Sequence, residues 1–135
     1  MTTIKKLTLI CNNSGLSCEN YGYQGKHKHL PHKLRWGPQH IVYDDKNVKL
    51  VYFKASFDVR FVELFRDEIE TIRKWNFGIH PVLVFVYNYK LNRWTTFDME
   101  DINTKMFICT KETIDKFLFS NVEFEWKLQN DKLKI

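Results

Sequence analysis

The segment from Pro81 to Tyr87 constrains the fold more than any other part of the 135-residue chain. It reads Pro-Val-Leu-Val-Phe-Val-Tyr, the longest apolar run in the sequence. A membrane-spanning helix needs about 18 apolar residues or more, so no membrane span is expected. A short continuous run rich in β-branched residues is typical of a strand that is buried on both faces, between layers of helices. The sequence therefore predicts an α/β protein with this strand at its centre.

The segments around this strand predict the rest of the sheet. Ile41–Tyr43 and Val48–Ala55 are strand-like and are separated by the turn-forming Asp44–Asn47, which indicates a hairpin. A helix is expected next, ending near Gly78, and Arg93–Met99 is expected to return as a further strand. The apolar stripe of that helix consists of Phe61, Phe65, Ile69 and Ile72. A hairpin followed by a crossover helix implies a mixed sheet of four or five strands with helices packed on it.

The two ends of the chain are less regular. Residues 3–12 fit one face of a helix and also permit a strand, and Asn12–Gly15 ends that element in either case. Beyond the sheet we expect a short strand at Met106–Cys109, a helix over Lys111–Phe119 capped by Thr110, and an alternating segment at Val122–Leu128. The prediction is one domain over residues 1–135. It has a core at about 37–103, a basic loop at about 15–37 and a C-terminal α/β extension at about 104–135.

The positive charge of the chain is concentrated in the predicted loop. The sequence has 21 Lys and Arg against 16 Asp and Glu, a net charge of +5. No acidic residue lies between Glu19 and Asp44. Cations that neutralise phosphates and aromatic rings that stack on unpaired bases are typical of a nucleic-acid surface. The residues predicted to bind DNA or RNA are Lys26, Lys28, Lys33, Arg35, Tyr23 and Trp36.

Residues 37–103 resemble the restriction-endonuclease-like, or PD-(D/E)xK, superfamily, and are closest in pattern to archaeal Holliday junction resolvases. The family has a Pro-Asp or Ile-Asp at a strand start, then a turn, then an apolar strand that ends in Glu-x-Lys. Here Gly37-Pro-Gln-His-Ile-Val42 stands at the first position and Lys49-Leu-Val-Tyr-Phe-Lys-Ala-Ser56 at the second. The helix at residues 67–75 and the strands at 80–86 and 93–101 also match the family order.

The resemblance implies a divalent metal between the two acids and a Lys beside the attacking water. Lys54 keeps the Lys place, but Tyr52 stands in the Glu place and His40 or Gln39 in the Asp place. Mg²⁺ prefers carboxylate oxygens, so both metal-binding acids are missing from this alignment and no metal site is predicted. The resemblance then implies a nucleic-acid-binding protein on a degenerate nuclease scaffold, without a cofactor.

Three other interpretations stay open. A carboxylate from a neighbouring element could replace the lost acids, and the protein would then be a structure-selective nuclease that uses Mg²⁺. Alternatively, His40, Tyr52 and Lys54 could form a metal-independent site that cleaves RNA. The protein could also be a non-catalytic interaction subunit or an inhibitor. Whether it is an enzyme is therefore left open. The candidate replacement acids are Asp44, Asp45, Asp58, Glu63 and Glu70.

The cysteines and the remaining aromatic residues indicate compartment and partners. Three cysteines at irregular spacing do not form a disulfide framework, so a reducing, cytoplasmic location is expected. Cys11 and Cys18 precede a His-rich segment (His27, His29 and His32), but without a Cys-x₂-Cys spacing the pattern favours a solvated loop over zinc.

The aromatic residues at 117, 119, 124 and 126 are expected in the core or, if exposed, against a second copy of the chain, because the resembled resolvases form dimers. Many Lys, Asn and aromatic residues with few Ala indicate an AT-rich viral or archaeal genome.

Overall fold

The structure is a computed structural model that describes residues 2–20, 40–58, 61–76, 80–105, 107–108, 116–120 and 125–135. In chain order its elements are α1 (Thr3–Ser14), β1 (Ser17–Asn20), β2 (His40–Tyr43), β3 (Val48–Ser56), β4 (Phe61–Phe65), α2 (Arg66–Asn76), β5 (Val82–Asn88), β6 (Arg93–Phe97), α3 (Met99–Lys105), β7 (Phe107–Ile108) and β8 (Lys116–Ser120). No helix in the described ranges is long and apolar enough to cross a membrane.

A mixed sheet with the strand order β1-β2-β3-β5-β6 forms the centre of the described part of the chain. β3 lies in the middle and pairs in parallel with β5, whereas β1–β2, β2–β3 and β5–β6 are antiparallel. The chain passes from β3 to β5 through β4 and α2, a crossover of the length that parallel neighbours require. The predicted mixed sheet, with Val48–Ala55 and Val82–Tyr87 as adjacent central strands, is confirmed.

Helices cover both faces of this sheet, and alternate residues of the central strands enter two separate cores. Leu50 and Val84 pack on one face with Ile72 of α2, in a core that also includes residues of α3. Val51 and Phe85 pack on the other face with α1. Every residue of β5 is buried, which confirms the burial on both faces predicted from its continuous apolar sequence.

The N-terminal segment that the sequence left ambiguous is a helix, α1. Thr2 caps it by accepting a hydrogen bond from the Lys5 N–H at 3.3 Å. The helix ends at Gly15, whose φ of 71° is in the left-handed region that favours glycine and whose N–H donates to the Cys11 carbonyl. The predicted loop over about 15–37 is wrong at Ser17–Asn20, which pairs with β2 as strand β1, and residues 21–37 lie outside the described residues. This short polar strand has no pattern of its own, and its pairing with β2 defines it.

The segment Phe61–Phe65 is a strand, although its spacing predicts the start of a helix. It pairs along its length with β8, in a second sheet whose described order is β4-β8-β7. Residues four apart share a face in a strand as well as in a helix, so Phe61 and Phe65 fit either structure, and long-range pairing decides between them. The predicted helix over Lys111–Phe119 is likewise wrong at residues 116–119, which belong to β8. Residues 77–79, 109–115 and 121–124, including the predicted caps Gly78 and Thr110, lie outside the described residues.

Side-chain turns set the two ends of β6. The Asn88 side-chain oxygen accepts the N–H groups of residues 90 and 91, both at 3.0 Å, and so forms the turn that follows β5. Asp98 and Asp101 each accept the other's backbone N–H at 3.0 Å, a reciprocal arrangement that begins α3. The strand therefore ends at Phe97, two residues earlier than predicted.

The C-terminal tail runs back over the α1 side of the sheet. Lys127 and Trp94 exchange backbone hydrogen bonds, and the Trp94 indole N–H donates to the Leu128 carbonyl at 2.9 Å. Leu133 is buried, and its N–H donates to the Ser14 hydroxyl at 2.8 Å. The tail thus joins β6 to the end of α1.

Candidate functional site

A carboxylate, an ammonium and a phenol meet beside the C-terminal half of β3, on the α2 face of the sheet. Lys54 donates to Glu68 Oε1 at 2.7 Å, and the Tyr52 hydroxyl donates to Glu68 Oε2 at 2.7 Å. Tyr52 and Lys54 are two residues apart on one strand and therefore point to the same face. The Lys54 and Glu68 side chains are each 18% exposed. We refer to Tyr52, Lys54 and Glu68 as the Glu68 cluster.

Glu68 reaches this position because of the way α2 begins. It is the third residue of the helix, and its Oε1 also accepts the backbone N–H of Phe65 at 3.1 Å. A third-position glutamate that accepts the N–H of the residue before the helix is one half of a capping box. Since β4 ends at Phe65 and α2 begins at Arg66, the first helical turn brings this carboxylate over β3.

The environment keeps the Tyr52 hydroxyl protonated. Burial and the hydrogen bond to Glu68 raise the pKa of Tyr52 above its ordinary value of 10. A phenol with a raised pKa is a neutral hydrogen-bond donor near pH 7 and cannot act as a general base there. Tyr52 therefore orients the Glu68 carboxylate, and Glu68 in turn fixes the Lys54 ammonium.

A cavity of about 460 Å³ opens beside the cluster, at the point where β3 ends. Its wall carries one ammonium group, two carboxylates and two aromatic rings. The lining residues are Lys54, Ala55, Ser56, Phe57, Asp58, Glu63 and Phe65. The Lys54 ammonium nitrogen is 5.5 Å from the centroid of the Phe65 ring, within cation–π range. Two of the acids that the sequence offered as replacements, Asp58 and Glu63, therefore share a cavity with Lys54.

His40 lies on the opposite face of the sheet from the other residues of the predicted catalytic set. It pairs with Val51 across the β2–β3 ladder, and its ring packs edge-on against Phe53 at 5.0 Å. Its Nδ1 is buried and has no hydrogen-bond partner among the described residues, and burial lowers the pKa of His40 below 6.5. The structure thus brings Tyr52 and Lys54 together but does not bring His40 to them. Gln39 lies outside the described residues.

Glu68 is the site residue that sequence reasoning missed. The predicted helix begins at Phe61, which would place Glu68 in the middle of the helix instead of in the first turn beside β3. The sequence nevertheless contains a signal, because acidic residues are enriched in the first turn of helices and Asp67 and Glu68 directly precede Ile69. Of the acids that were considered, Asp44 lies in the turn at the other end of β3 and accepts the N–H groups of Lys46 and Asn47 at 2.8 and 2.7 Å.

The residues of the predicted nucleic-acid surface and the cysteines complete the set of predicted site residues. Lys26, Lys28, Lys33, Arg35, Tyr23 and Trp36 all lie outside the described residues, as do the histidines of the zinc alternative. Cys11 and Cys18 are both free thiols; Cys11 is buried, and Cys18 packs against the same core. Within the described ranges, no group of three or more His, Cys, Asp or Glu residues is arranged to hold a metal ion.

The Glu68 cluster does not fit the divalent cation that the resemblance implies. Mg²⁺ requires several oxygen ligands at short distance, usually carboxylates and water. Both oxygens of Glu68 already accept hydrogen bonds, and one of them faces an ammonium at 2.7 Å. A cation at that oxygen would have to displace Lys54, and Tyr52 remains a neutral phenol.

This mixed sheet, with its parallel central pair, crossover helix and flanking helices, has the restriction-endonuclease-like fold. The chain is similar in structure to Hjc, a Holliday junction resolvase from the archaeal hyperthermophile Archaeoglobus fulgidus. The TM-score is 0.62 at 11% sequence identity, over 93% of this chain and 96% of that chain. It also matches a nuclease from a fusselovirus, with a TM-score of 0.49 and 12% identity over 93% of this chain and 79% of that chain. No protein-family model matches the chain, and no curated protein matches it by sequence.

Proposed function

We propose that this chain binds nucleic acid on a nuclease fold and has no metal-dependent cleavage activity at the end of β3. The observation that carries the proposal is the Glu68 cluster. In the place where the resembled family has a metal-binding Glu, Tyr52 donates to Glu68, and Glu68 neutralises the Lys54 ammonium. A Lys held by a carboxylate at 2.7 Å is a poor partner for an attacking water.

Nucleic acid as the partner is supported by the fold and by charge. The structurally similar archaeal protein is a Holliday junction resolvase. The chain carries a net charge of +5, concentrated in the interval that contains Lys26, Lys28, Lys33 and Arg35. A cation that neutralises a phosphate releases a condensed counterion, so binding should weaken with salt. We propose these four residues as phosphate contacts and Tyr23 and Trp36 as stacking partners.

A nuclease with relocated acids is the second candidate, and the cavity favours it. Asp58 and Glu63 line the same cavity as Lys54, and Glu68 forms an ion pair with Lys54 at 2.7 Å. Mg²⁺ in nucleic-acid enzymes is often held by one or two carboxylates together with substrate phosphates, so two acids can suffice once substrate is bound. The metal-independent alternative has less support, because His40 faces away from Tyr52 and Lys54.

A cleavage assay separates the two candidates. Branched and linear DNA and RNA are incubated with Mg²⁺, with Mn²⁺ and with EDTA, using the parent, Lys54→Ala, Glu63→Gln and His40→Ala. The proposal expects binding without cleavage under all three conditions, with Lys54→Ala weakening binding by no more than about 1–3 kcal/mol. Metal-dependent cleavage that Lys54→Ala and Glu63→Gln abolish would establish the nuclease instead. Cleavage in EDTA that His40→Ala abolishes would establish the metal-independent site.

A binding titration tests the basic loop. Lys26, Lys28, Lys33 and Arg35 are replaced together by Ala, and affinity is measured at several salt concentrations. Each lost phosphate contact should reduce the slope of log affinity against log salt by about 0.7–0.9. Replacing Lys5, Lys46, Lys90 and Lys132 provides a matched control with the same loss of charge outside the loop. If the two quadruple variants bind alike, the loop is not the nucleic-acid surface. If the parent does not bind nucleic acid at all, the result favours a protein-interaction role.

A further inference from the structure

Phe57, the residue that follows β3, presents an aromatic ring to solvent at the mouth of the cavity. It is 66% exposed, more than any other large hydrophobic residue among those described. Its ring nevertheless stacks on Tyr89, with centroids 5.3 Å apart and planes at 16°. Tyr89 packs edge-on against the buried Tyr87 at 4.8 Å, and its hydroxyl shares a 3.1 Å hydrogen bond with Thr3. The ring is therefore exposed but supported.

The backbone around Phe57 is held on both sides. The Tyr89 N–H donates to the Ser56 carbonyl at 2.9 Å. The buried Asn88 side chain donates to the Asp58 carbonyl at 3.0 Å, and the Ser56 hydroxyl donates to the same carbonyl at 3.3 Å. These bonds link the residues that flank Phe57 to the end of β5. An exposed ring on an anchored backbone loses little entropy when a ligand covers it.

The groups around this ring suit a nucleobase. Phe57 and Phe65 line one cavity of about 460 Å³, a volume within the range of about 300–1,000 Å³ that ligand pockets occupy. Phe65 is 44% exposed and lies beneath the Lys54 ammonium. Asp58 and Glu63 line the same wall. Carboxylates accept hydrogen bonds from the amino groups of bases, and aromatic rings stack on their faces.

The geometry points to Phe57 as a stacking platform for an unpaired base. In an intact duplex each base is already stacked on both sides, so an internal base cannot also cover Phe57. The substrate class is therefore nucleic acid with unpaired bases, such as a single strand or an opened branch point. This inference rests on the proposed nucleic-acid binding and adds the chemistry that the cavity recognises.

The test compares Phe57→Ala with the parent on two labelled probes, an unstructured single-stranded oligonucleotide and a blunt duplex of the same length. Stacking on one base contributes about 1–3 kcal/mol, so single-strand affinity should fall about 5- to 150-fold while duplex affinity is unchanged. Phe57→Tyr retains the aromatic face and should retain binding. Leu128→Ala removes an apolar side chain that is 52% exposed and lies outside the cavity, and should bind like the parent.

Each outcome bears on one claim. If Phe57→Ala binds the single strand as the parent does, the stacking inference fails and nucleic-acid binding stands. An equal loss on both probes would also overturn it, because the ring would then serve any nucleic acid. If the parent binds neither probe, the proposed function fails together with the inference. A thermal melt of each variant separates loss of the ring from loss of folding. Phe57→Ala and Phe57→Tyr should melt at the same temperature as the parent, and of the two only Phe57→Tyr should bind the single strand as the parent does.

Discussion

Replacement of Glu68 by Ala should destabilise the protein far more than its position near the surface suggests. The carboxylate accepts hydrogen bonds from the Tyr52 hydroxyl and the Lys54 ammonium, both at 2.7 Å, and from the Phe65 N–H at 3.1 Å. Glu68→Ala would leave a charged and a polar group with little water to replace the lost partner. The change also removes a cap from the first turn of α2.

The expected magnitude follows from the exposure of the pair. Removing one partner of a buried ion pair costs about 3–5 kcal/mol, whereas exposed pairs contribute about 0–1 kcal/mol. At 18% exposure for each side chain, the Lys54–Glu68 pair lies closer to the buried limit. We expect a loss of about 3 kcal/mol for Glu68→Ala. Glu68→Gln keeps one accepting oxygen and should lose about 1.5 kcal/mol.

Urea unfolding at pH 7 measures these losses, and a double-mutant cycle isolates the pair. Lys54→Met, Glu68→Gln and the double variant should show a coupling free energy of about 1–3 kcal/mol, because the double variant leaves no unpaired charge. Glu125→Ala is the matched control. Its side chain is 85% exposed, its oxygen is 3.9 Å from the Lys127 ammonium, and its loss should change stability by less than about 0.5 kcal/mol.

Two results would refute this reasoning. Additive losses in the cycle would show that Lys54 and Glu68 do not interact in solution. A Glu68→Ala variant as stable as Glu125→Ala would show that the first turn of α2 does not hold the carboxylate over β3. In either case the support that the Glu68 cluster gives to the proposed function would be removed.

Three further predictions concern stability. Burial lowers the pKa of His40 below its unfolded value of 6.5, so the unfolded state binds the proton first as the pH falls. Stability should be full above pH 6.5 and should fall as the pH decreases through the folded pKa. In melts from pH 8 to 5, His40→Phe should flatten that fall. Gly15→Ala should lower the free energy of unfolding in urea by about 1 kcal/mol, because φ is 71° at this residue. An added Cβ would meet no atom within 4 Å, so the backbone conformation is the only source of the cost. Gly15→Asn should cost less, and an unchanged urea midpoint would contradict the left-handed cap. Trp94→Ala should cost about 3–5 kcal/mol, because the ring is fully buried and its N–H is bonded to Leu128; a melting temperature within a degree of the parent would contradict that packing.

The parts of the fold that the sequence predicted correctly are those where a local pattern and burial agree. β5 is apolar at nearly every position because both of its faces are covered, and β3 is flanked by a recognisable turn. The helix predicted at Phe61–Phe65 is wrong because a spacing of four residues fits both structures and the pairing strand, β8, is about 55 residues away in sequence. Ser17–Asn20 is a polar edge strand whose pairing depends on its neighbour, so its own sequence does not distinguish it from a loop.

The candidate site was predictable only along the strand that carries it. Tyr52 and Lys54 share a face because they are two residues apart. The position of His40 depends on register, and pairing with Val51 instead of its neighbour turns the ring to the other side of the sheet. The position of the Glu68 carboxylate depends on the residue at which α2 begins, and helix boundaries are the feature that sequence patterns locate least well.

The hydrogen bond between Ser14 and Leu133 has a consequence for the order in which the protein folds. It joins residues that are 119 positions apart, and the hydrogen bond from Trp94 to Leu128 joins residues that are 34 positions apart. Contacts of such long sequence separation form late, because the intervening chain must first be ordered. During synthesis α1 leaves the ribosome before the residues that close over its end, which emerge more than a hundred residues later. Until then the α1 side of the sheet keeps apolar surface open to water, and this is the interval in which a nascent chain of this kind is most prone to aggregate.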